Sequence, residues 1–590
     1  MAYDRRARLG EFPALQLLLA WAAVSAILFL AGLGRLAQGQ FPDPDDVLRL
    51  VQVRDLLAGQ EWFDTTQYRI DPPAGTAMHW TRLVDIPLAL VIGGLTPLLG
   101  QAAAETVALV AVPLLTFGLA AFAIGRLAWR MLGARAAIFA VLACGFLPAL
   151  LFQFRPMRID HHGWQIVSVA FALWAISWRD TRKGGWVAGL AMAFGLSISL
   201  EILPLAGAFG AILFSRWWLD HAQRGWLVAY MQALSGGLVL FYLATRGPAA
   251  WTQYCDAISP AHLGFFLTAA LGTWILAKTT KLRGFGLIVL FSIVGAAALA
   301  VFAMSSPTCL TTPFAALDPA VDALWYRRVL EGQPLWSQEI GTVVPAIIQM
   351  LAAIGATIAI RARSIDWVRG WWTEYLLLLV LVNIAALLVV RSLGLASIIA
   401  AIPLGWLAAN LLDRVRREKA IVARVLSVLA LVILLAPMTP VTLSKLVAPQ
   451  TGGEGNTTAK VQEARCAIRD QAERLGTLPQ GTVFAPLDIG PTILLKSHHS
   501  VIATGHHRAN EAMADVIHAF TKEPAEARAI VAEHDADYLA LCSDLAEANL
   551  FAATAPDGLA AQLVAGNPPA WLEPVEIGGP EEFLVYRVAD

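Results

Sequence analysis

Charge is what this chain has least of. Of its 590 residues, 15% are Asp, Glu, Lys or Arg, while 57% are hydrophobic and the mean hydropathy is +0.61. A soluble domain carries roughly 25% charged residues, so this chain has too little polar surface to coat itself in water. Cysteine is scarce as well: there are five, with no Cys-x-x-Cys spacing, which excludes a disulfide scaffold. The glycine patterns of P-loops and dinucleotide folds are missing. No nucleotide-sugar site and no nucleic-acid partner are expected. No cleavable signal peptide is expected either. The first apolar run, 15–33, follows Arg5, Arg6 and Arg8 without a small-residue cleavage site, and reads as a retained signal-anchor.

What is present is a series of long apolar runs. A spanning helix needs about 20 apolar residues, because the backbone must satisfy its own hydrogen bonds across ~30 Å of hydrocarbon. Candidate runs lie at 15–33, 82–100, 105–128, 134–153, 163–178, 185–201, 203–219, 226–244, 262–277, 284–303, 341–361, 372–391, 394–412 and 422–440. Lys and Arg gather in seven places: the N-terminus and the spacers around Arg130, Arg182, Arg224, Lys281, Arg363 and Arg416. Basic spacers face the cytoplasm. They fall on one face if a single run between 34 and 125 does not span. The weakest is 82–100, which contains Arg82, Asp85, Pro87, Pro97 and the pair Gly93–Gly94, and it reads as an interfacial helix. About 13 spans remain, with the N-terminus cytoplasmic. The expected architecture is an α-helical polytopic protein of the inner (cytoplasmic) membrane. Residues 1–440 form its membrane domain, with external loops at 34–104 and 304–340. Residues 441–590 form a periplasmic or extracellular α/β domain. Within it 449–458 reads as a linker, 460–475 and 509–535 as helical, and 481–487, 537–542 and 583–588 as strands. Cys466 and Cys542 would share an oxidising compartment, where pairing and two separate thiols are both allowed.

The polar residues with chemical character all fall on the external face in this arrangement. Asp43, Asp45 and Asp46 crowd the end of the first span. They suit a hard divalent cation, or, more plainly, an acidic helix N-cap. Asp160, His161 and His162 lie between two apolar spans, where ionisable groups are costly and functional by default. In an extended segment Asp160 and His162 would point the same way and grip one ion. Arg155 and Arg158 offer partners for a phosphate, or membrane anchors. Glu339 in Trp-Ser-Gln-Glu and Arg391 at the outer end of a span are unremarkable alone, since an arginine there commonly snorkels.

These residues together resemble the catalytic subunits of oligosaccharyltransferases, membrane glycosyltransferases of the GT-C class, over nearly the whole chain. The family's first-loop pattern matches Asp43-Pro44, Arg49, Phe63-Asp64, Pro73-Ala74-Gly75 and Trp80, and its second motif matches Asp160-His161-His162. The resemblance implies that Asp43, Asp160 and His162 hold Mn²⁺ or Mg²⁺. It further implies that Glu339 is the flexible-loop acid, that Arg391 (with Arg158 nearby) binds the donor phosphate, and that Asp43 or Glu339 serves the acceptor. One stretch departs from the family. Its Trp-Trp-Asp-Tyr-Gly acceptor motif is represented by Ala485-Pro486-Leu487-Asp488-Ile489-Gly490, which keeps the Asp and Gly but neither tryptophan nor the tyrosine. Asp488 is still the expected acceptor contact.

The expected activity is transfer of a sugar or oligosaccharide from a polyprenyl-phosphate or polyprenyl-diphosphate donor to a protein, lipid or polysaccharide acceptor, with membrane lipids as the surroundings. A lipid or solute transporter would also explain the spans and the intramembrane Glu201 beside Pro204. No internal repeat with paired broken helices supports it. An inactive scaffold would not need Asp43, Asp160 and His162.

Overall fold

The computed structural model describes residues 11–279, 281, 283–311, 314–436 and 466–589. The N-terminal arginines, the linker 449–458 and the first residues of the helix expected at 460–475 lie outside them. The chain forms two compact units. One holds the described parts of 1–33, 86–312 and 330–448, and the other those of 34–85, 313–329 and 449–590. A single boundary near 440 therefore does not separate them, because residues 34–85 of the loop expected at 34–104 belong with the C-terminal residues. Physical ties hold it there: the Arg69 guanidinium donates to the carbonyls of Leu494, Ser497 and His499 at 2.6–3.1 Å, and Ile70 bridges Val501 in parallel.

The first unit is helical, and helix stands within every apolar run of the sequence. Among the described residues nine helices are long and apolar enough to cross a membrane, from Ala14–Gln38 to Val390–Arg417. Three shorter apolar helices accompany them: Asp85–Leu99, Ala134–Cys144 and Ile421–Leu435. Asp85–Leu99, at 15 residues, rises only ~22 Å, too short for a bilayer core. The run 134–153 is not one helix as expected. It stops at Gly145 and restarts at Pro148, which opens Pro148–Phe152 from the first turn, where a missing N–H costs nothing.

Small residues set how closely these helices approach. A Cβ on Gly189 would lie 2.3 Å from the Tyr230 carbonyl, and one on Gly405 would lie 2.5 Å from the Ala140 nitrogen. Helix Thr181–Ile198 can therefore lie against Gly225–Arg246 only with glycine there. Basic residues of several spacers tie into the helical unit. Arg130 donates to the Ser177 carbonyl at 3.0 Å, Arg135 grips Asp413 at 2.7 and 2.8 Å, and Arg216 pairs with Glu374.

The second unit is α/β. Its five-stranded sheet has the order β4-β3-β5-β7-β6, with β3 Thr482–Phe484, β4 Ser500–Val501, β5 Tyr538–Cys542, β6 Leu572–Pro574 and β7 Phe583–Val588. β3 pairs in parallel with β4 and β5, whereas β7 runs antiparallel to β5 and β6. A separate hairpin pairs β1, Thr66–Gln67, with β2, Thr76–Ala77. Every residue of β5 is buried, as a central strand covered on both faces must be. Helix Asn510–Thr521 buries Ala512, Met513, Val516, Ile517 and Phe520, one stripe of a 3.6-residue period. The helical stretch expected over 509–535 is two helices, interrupted after Thr521 and resumed at Pro524. Cys466 and Cys542 are joined in a disulfide, and Cys255 pairs with Cys309 in the helical unit.

Candidate functional site

In the helical unit the site is built where helices are broken. Helix Thr181–Ile198 ends at Ser199, which is extended and whose hydroxyl accepts from the Glu201 N–H at 3.3 Å. A single turn, Leu200–Ile202, carries Glu201 before Pro204 opens the next helix. Arg391 occupies a matching turn, Val390–Ser392, after the extended Val389. Asp160 lies two residues before helix His162–Ala175, with His161 at the N-cap between them. The approach to it is constrained: Met157 is buried at φ 70°, a left-handed conformation that costs a non-glycine residue of order 1–3 kcal/mol. Its N–H is fixed on the Leu109 carbonyl at 2.8 Å.

These turns bring a connected set of charges together. Asp160 Oδ2 lies 2.6 Å from His162 Nδ1 and 3.4 Å from Arg158 Nη2, and Asp160 Oδ1 contacts His161. Glu201 Oε2 is 3.6 Å from His162 Nε2 and accepts from Gln165 Nε2 at 3.3 Å, while Glu201 Oε1 pairs with Arg391 Nη1. Arg391 Nη2 also reaches Glu331 at 3.2 Å. Asp160, His161 and His162 are buried, and each offers a ligand atom within 4.8 Å of the others. Three carboxylates thus meet two guanidinium groups and two imidazoles.

Several expectations need refinement here. His161 is helical (φ −76°, ψ −19°) rather than extended, so Asp160 meets His162 through a turn and not through strand alternation. Arg158 sits beside Asp160 and His162, at 3.4 Å from each. Glu339 is exposed, and its backbone begins helix Ile340–Ala362; the loop acid on Arg391 is Glu331. Sequence reasoning also missed Glu201 as part of this cluster, although its signal was legible: an acid inside an apolar run, three residues before a proline.

The remaining candidates belong to the α/β unit. Asp43 caps helix Pro44–Leu57, accepting from the Asp45 N–H at 3.0 Å. Arg49, fully buried, pairs with Asp85 at 2.9 Å and lies 4.5 Å over the Trp80 ring. Arg82 joins the same Asp85 at 3.3 Å. Two family-pattern residues, Arg49 and Trp80, are therefore packing partners. Asp488 is exposed at the turn before helix Gly490–Lys496. Its N–H and that of Leu487 donate to the Glu547 carboxylate at 2.8 and 3.0 Å. Partial burial first, and the charge of Asp43 second, raise the Asp488 carboxyl above its usual value. Burial and then Asp488 push Glu547 up to about 8. The charge of Asp43 therefore opposes ionisation of Asp488, and the charge of Asp488 opposes that of Glu547.

The fold, with its helical unit and its α/β unit, is like that of the GT-C oligosaccharyltransferases. The chain is similar to the archaeal oligosaccharyltransferase AglB of Archaeoglobus fulgidus, solved with an inhibitory peptide and a dolichol-phosphate. The TM-score is 0.65 at 15% identity, over 98% of this chain and 74% of that one. The same organism's enzyme with Zn and sulfate matches at TM-score 0.60 and 14% identity, over 97% and 73%. A third structure, tethered to an acceptor peptide containing an NVT sequon, matches at 0.61 and 14%, over 98% and 74%. Neither a protein-family model nor a curated protein sequence matches the chain.

A divalent ion is compatible with the residues present. Among the described residues the buried His162 Nε2 makes no hydrogen bond, facing Glu201 Oε2 at 3.6 Å, and the cluster's oxygen and imidazole donors are those such ions take.

Proposed function

We propose that this chain is a membrane glycosyltransferase that moves a sugar or oligosaccharide from a polyprenyl-phosphate or polyprenyl-diphosphate carrier to an acceptor on the outer face of the cytoplasmic membrane. The observation that carries the reading is the Asp160–His162–Glu201–Arg391 cluster, buried at Asp160 and His162 and half-buried at Glu201 and Arg391, set at helix breaks in a fold whose solved relatives include one with dolichol-phosphate and one with Zn and sulfate. The arrangement of about 13 spans, the cytoplasmic N-terminus and the external α/β domain belong to the same proposal.

In the reaction an acceptor nucleophile forms a bond to the anomeric carbon. The carbon–oxygen bond to the phosphate breaks, its electron pair leaves with the phosphate, and the acceptor proton passes to a carboxylate. Arg391 orients the departing phosphate through charge-assisted hydrogen bonds, and Arg158 adds positive charge nearby. Glu201 and Glu331 hold the Arg391 guanidinium in place before the donor arrives. Asp160 and His162, joined by Asp43, would hold Mn²⁺ or Mg²⁺, which supplies neutralisation of charge building on the leaving group. Asp43 or Glu339 takes the proton, and Asp488 contacts the acceptor. The acidic surroundings of Asp488 favour an acceptor that donates hydrogen bonds or carries positive charge.

Binding of a polyprenyl phosphate to the purified protein tests the donor assignment. Wild type should bind it, and Arg391→Ala should weaken binding about 10–100-fold, the scale of a lost charged hydrogen bond. Equal affinity in both proteins would overturn the role of Arg391.

A further inference from the structure

The long helix that follows Arg391, Leu393–Arg417, ends in a basic run. Its 25 residues set its two ends ~37 Å apart. Near the basic end it meets the start of helix Ala134–Cys144: the Arg135 guanidinium donates to both Asp413 carboxylate oxygens at 2.7 and 2.8 Å and to the Ala409 carbonyl at 3.3 Å. Helix Ile421–Leu435 begins four residues after Arg417 and packs back along it. Between these three helices of the helical unit lies a cavity of about 190 Å³ whose lining side chains are all apolar. Leu404, Ala408 and Leu412 line it from the long helix, covering ~12 Å of depth. Phe139 and Ala143 line it from the second helix and Leu431 from the third. Its inner end is dry leucine and alanine, whereas its Leu412 end adjoins the Arg135–Asp413 pair. Beyond that pair Arg414, Arg416, Arg417, Lys419 and Arg424 are all exposed. Arg135 and these five cations accompany two carboxylates, Asp413 and Glu418, so positive charge dominates that end.

We propose that this cavity holds one hydrocarbon tail of an anionic diacyl phospholipid of the surrounding membrane, with its phosphate on the basic run 414–424. An apolar cavity of this size stays dry, so hydrocarbon is the filling that suits it. Hydrocarbon alone does not choose among lipids, because every bilayer tail is as apolar as leucine. The head group makes the choice. Lysines and arginines gathered beside a membrane helix attract anionic lipids, and guanidinium groups hold phosphate oxygens through paired, charge-assisted hydrogen bonds. An apolar slot with a cationic mouth therefore matches an amphiphile with a negative head. The polyprenyl donor is also such an amphiphile, but its phosphate is assigned to Arg391, a full helix length from this run. A lipid seated here would fix helix Ile421–Leu435 against the rest of the helical unit.

The test uses the full-length protein in detergent, stripped of lipid, given phosphatidylglycerol or phosphatidylcholine with the same tails, and weighed intact by native mass spectrometry. Wild type should keep one phosphatidylglycerol per chain at concentrations where phosphatidylcholine is lost. Arg416→Gln with Arg417→Gln and Lys419→Gln should weaken phosphatidylglycerol binding about 100-fold, each cation contributing roughly a factor of five. These three side chains are exposed, so the triple variant should fold as wild type does. Ala143→Phe, which fills the cavity, should weaken binding as well while leaving the charges in place. Equal binding of the two lipids by wild type, or unchanged phosphatidylglycerol binding in both variants, would overturn the proposal. So would a wild type that carries no lipid, or one that carries a second copy of the chain instead. Displacement of phosphatidylglycerol by an equimolar polyprenyl phosphate would also overturn it, giving the cavity to the donor carrier. None of these outcomes depends on glycosyl transfer.

Discussion

The two units bury polar groups for different reasons. In the helical unit, ionisable side chains within the buried framework are tied to partners at helix breaks: Asp160 to His162 and Arg158, and Glu201 to Arg391. Each break leaves backbone groups that a continuous helix would satisfy, and Ser199 answers one by accepting from Glu201. In the α/β unit the buried charges Arg49, Arg82 and Asp85 form a knot under Trp80 that packs the first loop. Breaking a buried pair there exposes a desolvated charge and costs stability. The difference teaches where chemistry is to be sought: in the unit where helices are interrupted at turns that present charge.

Four substitutions would break or sharpen that contrast. The largest effect should come from the α/β unit's covalent tie. Cys466→Ser opens a bridge between residues 76 apart, worth about 4 kcal/mol in the chain-entropy account. Thermal unfolding of that unit should move down by many degrees while the helical unit keeps its transition. Next, Arg391→Ala should lower transfer about 100-fold with the unfolding profile unchanged, read from donor consumption. A fall in thermal stability that matched the loss of activity would instead mark Arg391 as framework.

Glu201→Gln should have a smaller effect, about 10-fold on donor KM with a modest change in kcat, because Glu331 still holds Arg391. The smallest is a pH effect in the α/β unit. With its pKa raised to about 8, Glu547 binds a proton in the folded state that the unfolded chain has released above its ordinary value. Stability therefore falls as pH rises from about 4.5 to 8. Glu547→Gln should flatten that decline in a series of melting curves, and an unchanged slope would assign it to other groups.

Much of this was legible in the sequence because membrane burial leaves a coarse signal. Helix stands within each apolar run, and β7 spans the 583–588 stretch read as a strand. The helix break at Pro148 was visible as a residue but not as a boundary, since its neighbours are as apolar as the rest. β4 and β6 escaped because two or three residues carry no period. The site was half legible. Asp160, His162 and Arg391 stand out as ionisable residues beside apolar runs, and the structure joins them through Glu201. The Glu331 contact with Arg391 was hidden, because a loop acid gives no sign of its direction. Joining the first loop to the C-terminal residues was equally hidden, since Arg69 binds backbone carbonyls, which every sequence has.

The most direct measurement is sugar release from a labelled polyprenyl-phosphate-linked donor by purified protein, wild type against Asp160→Asn. The account predicts acceptor-dependent, divalent-metal-dependent turnover in the wild type and a loss of at least ~1,000-fold in the variant, with both proteins equally folded. Equal turnover in the two proteins would contradict it.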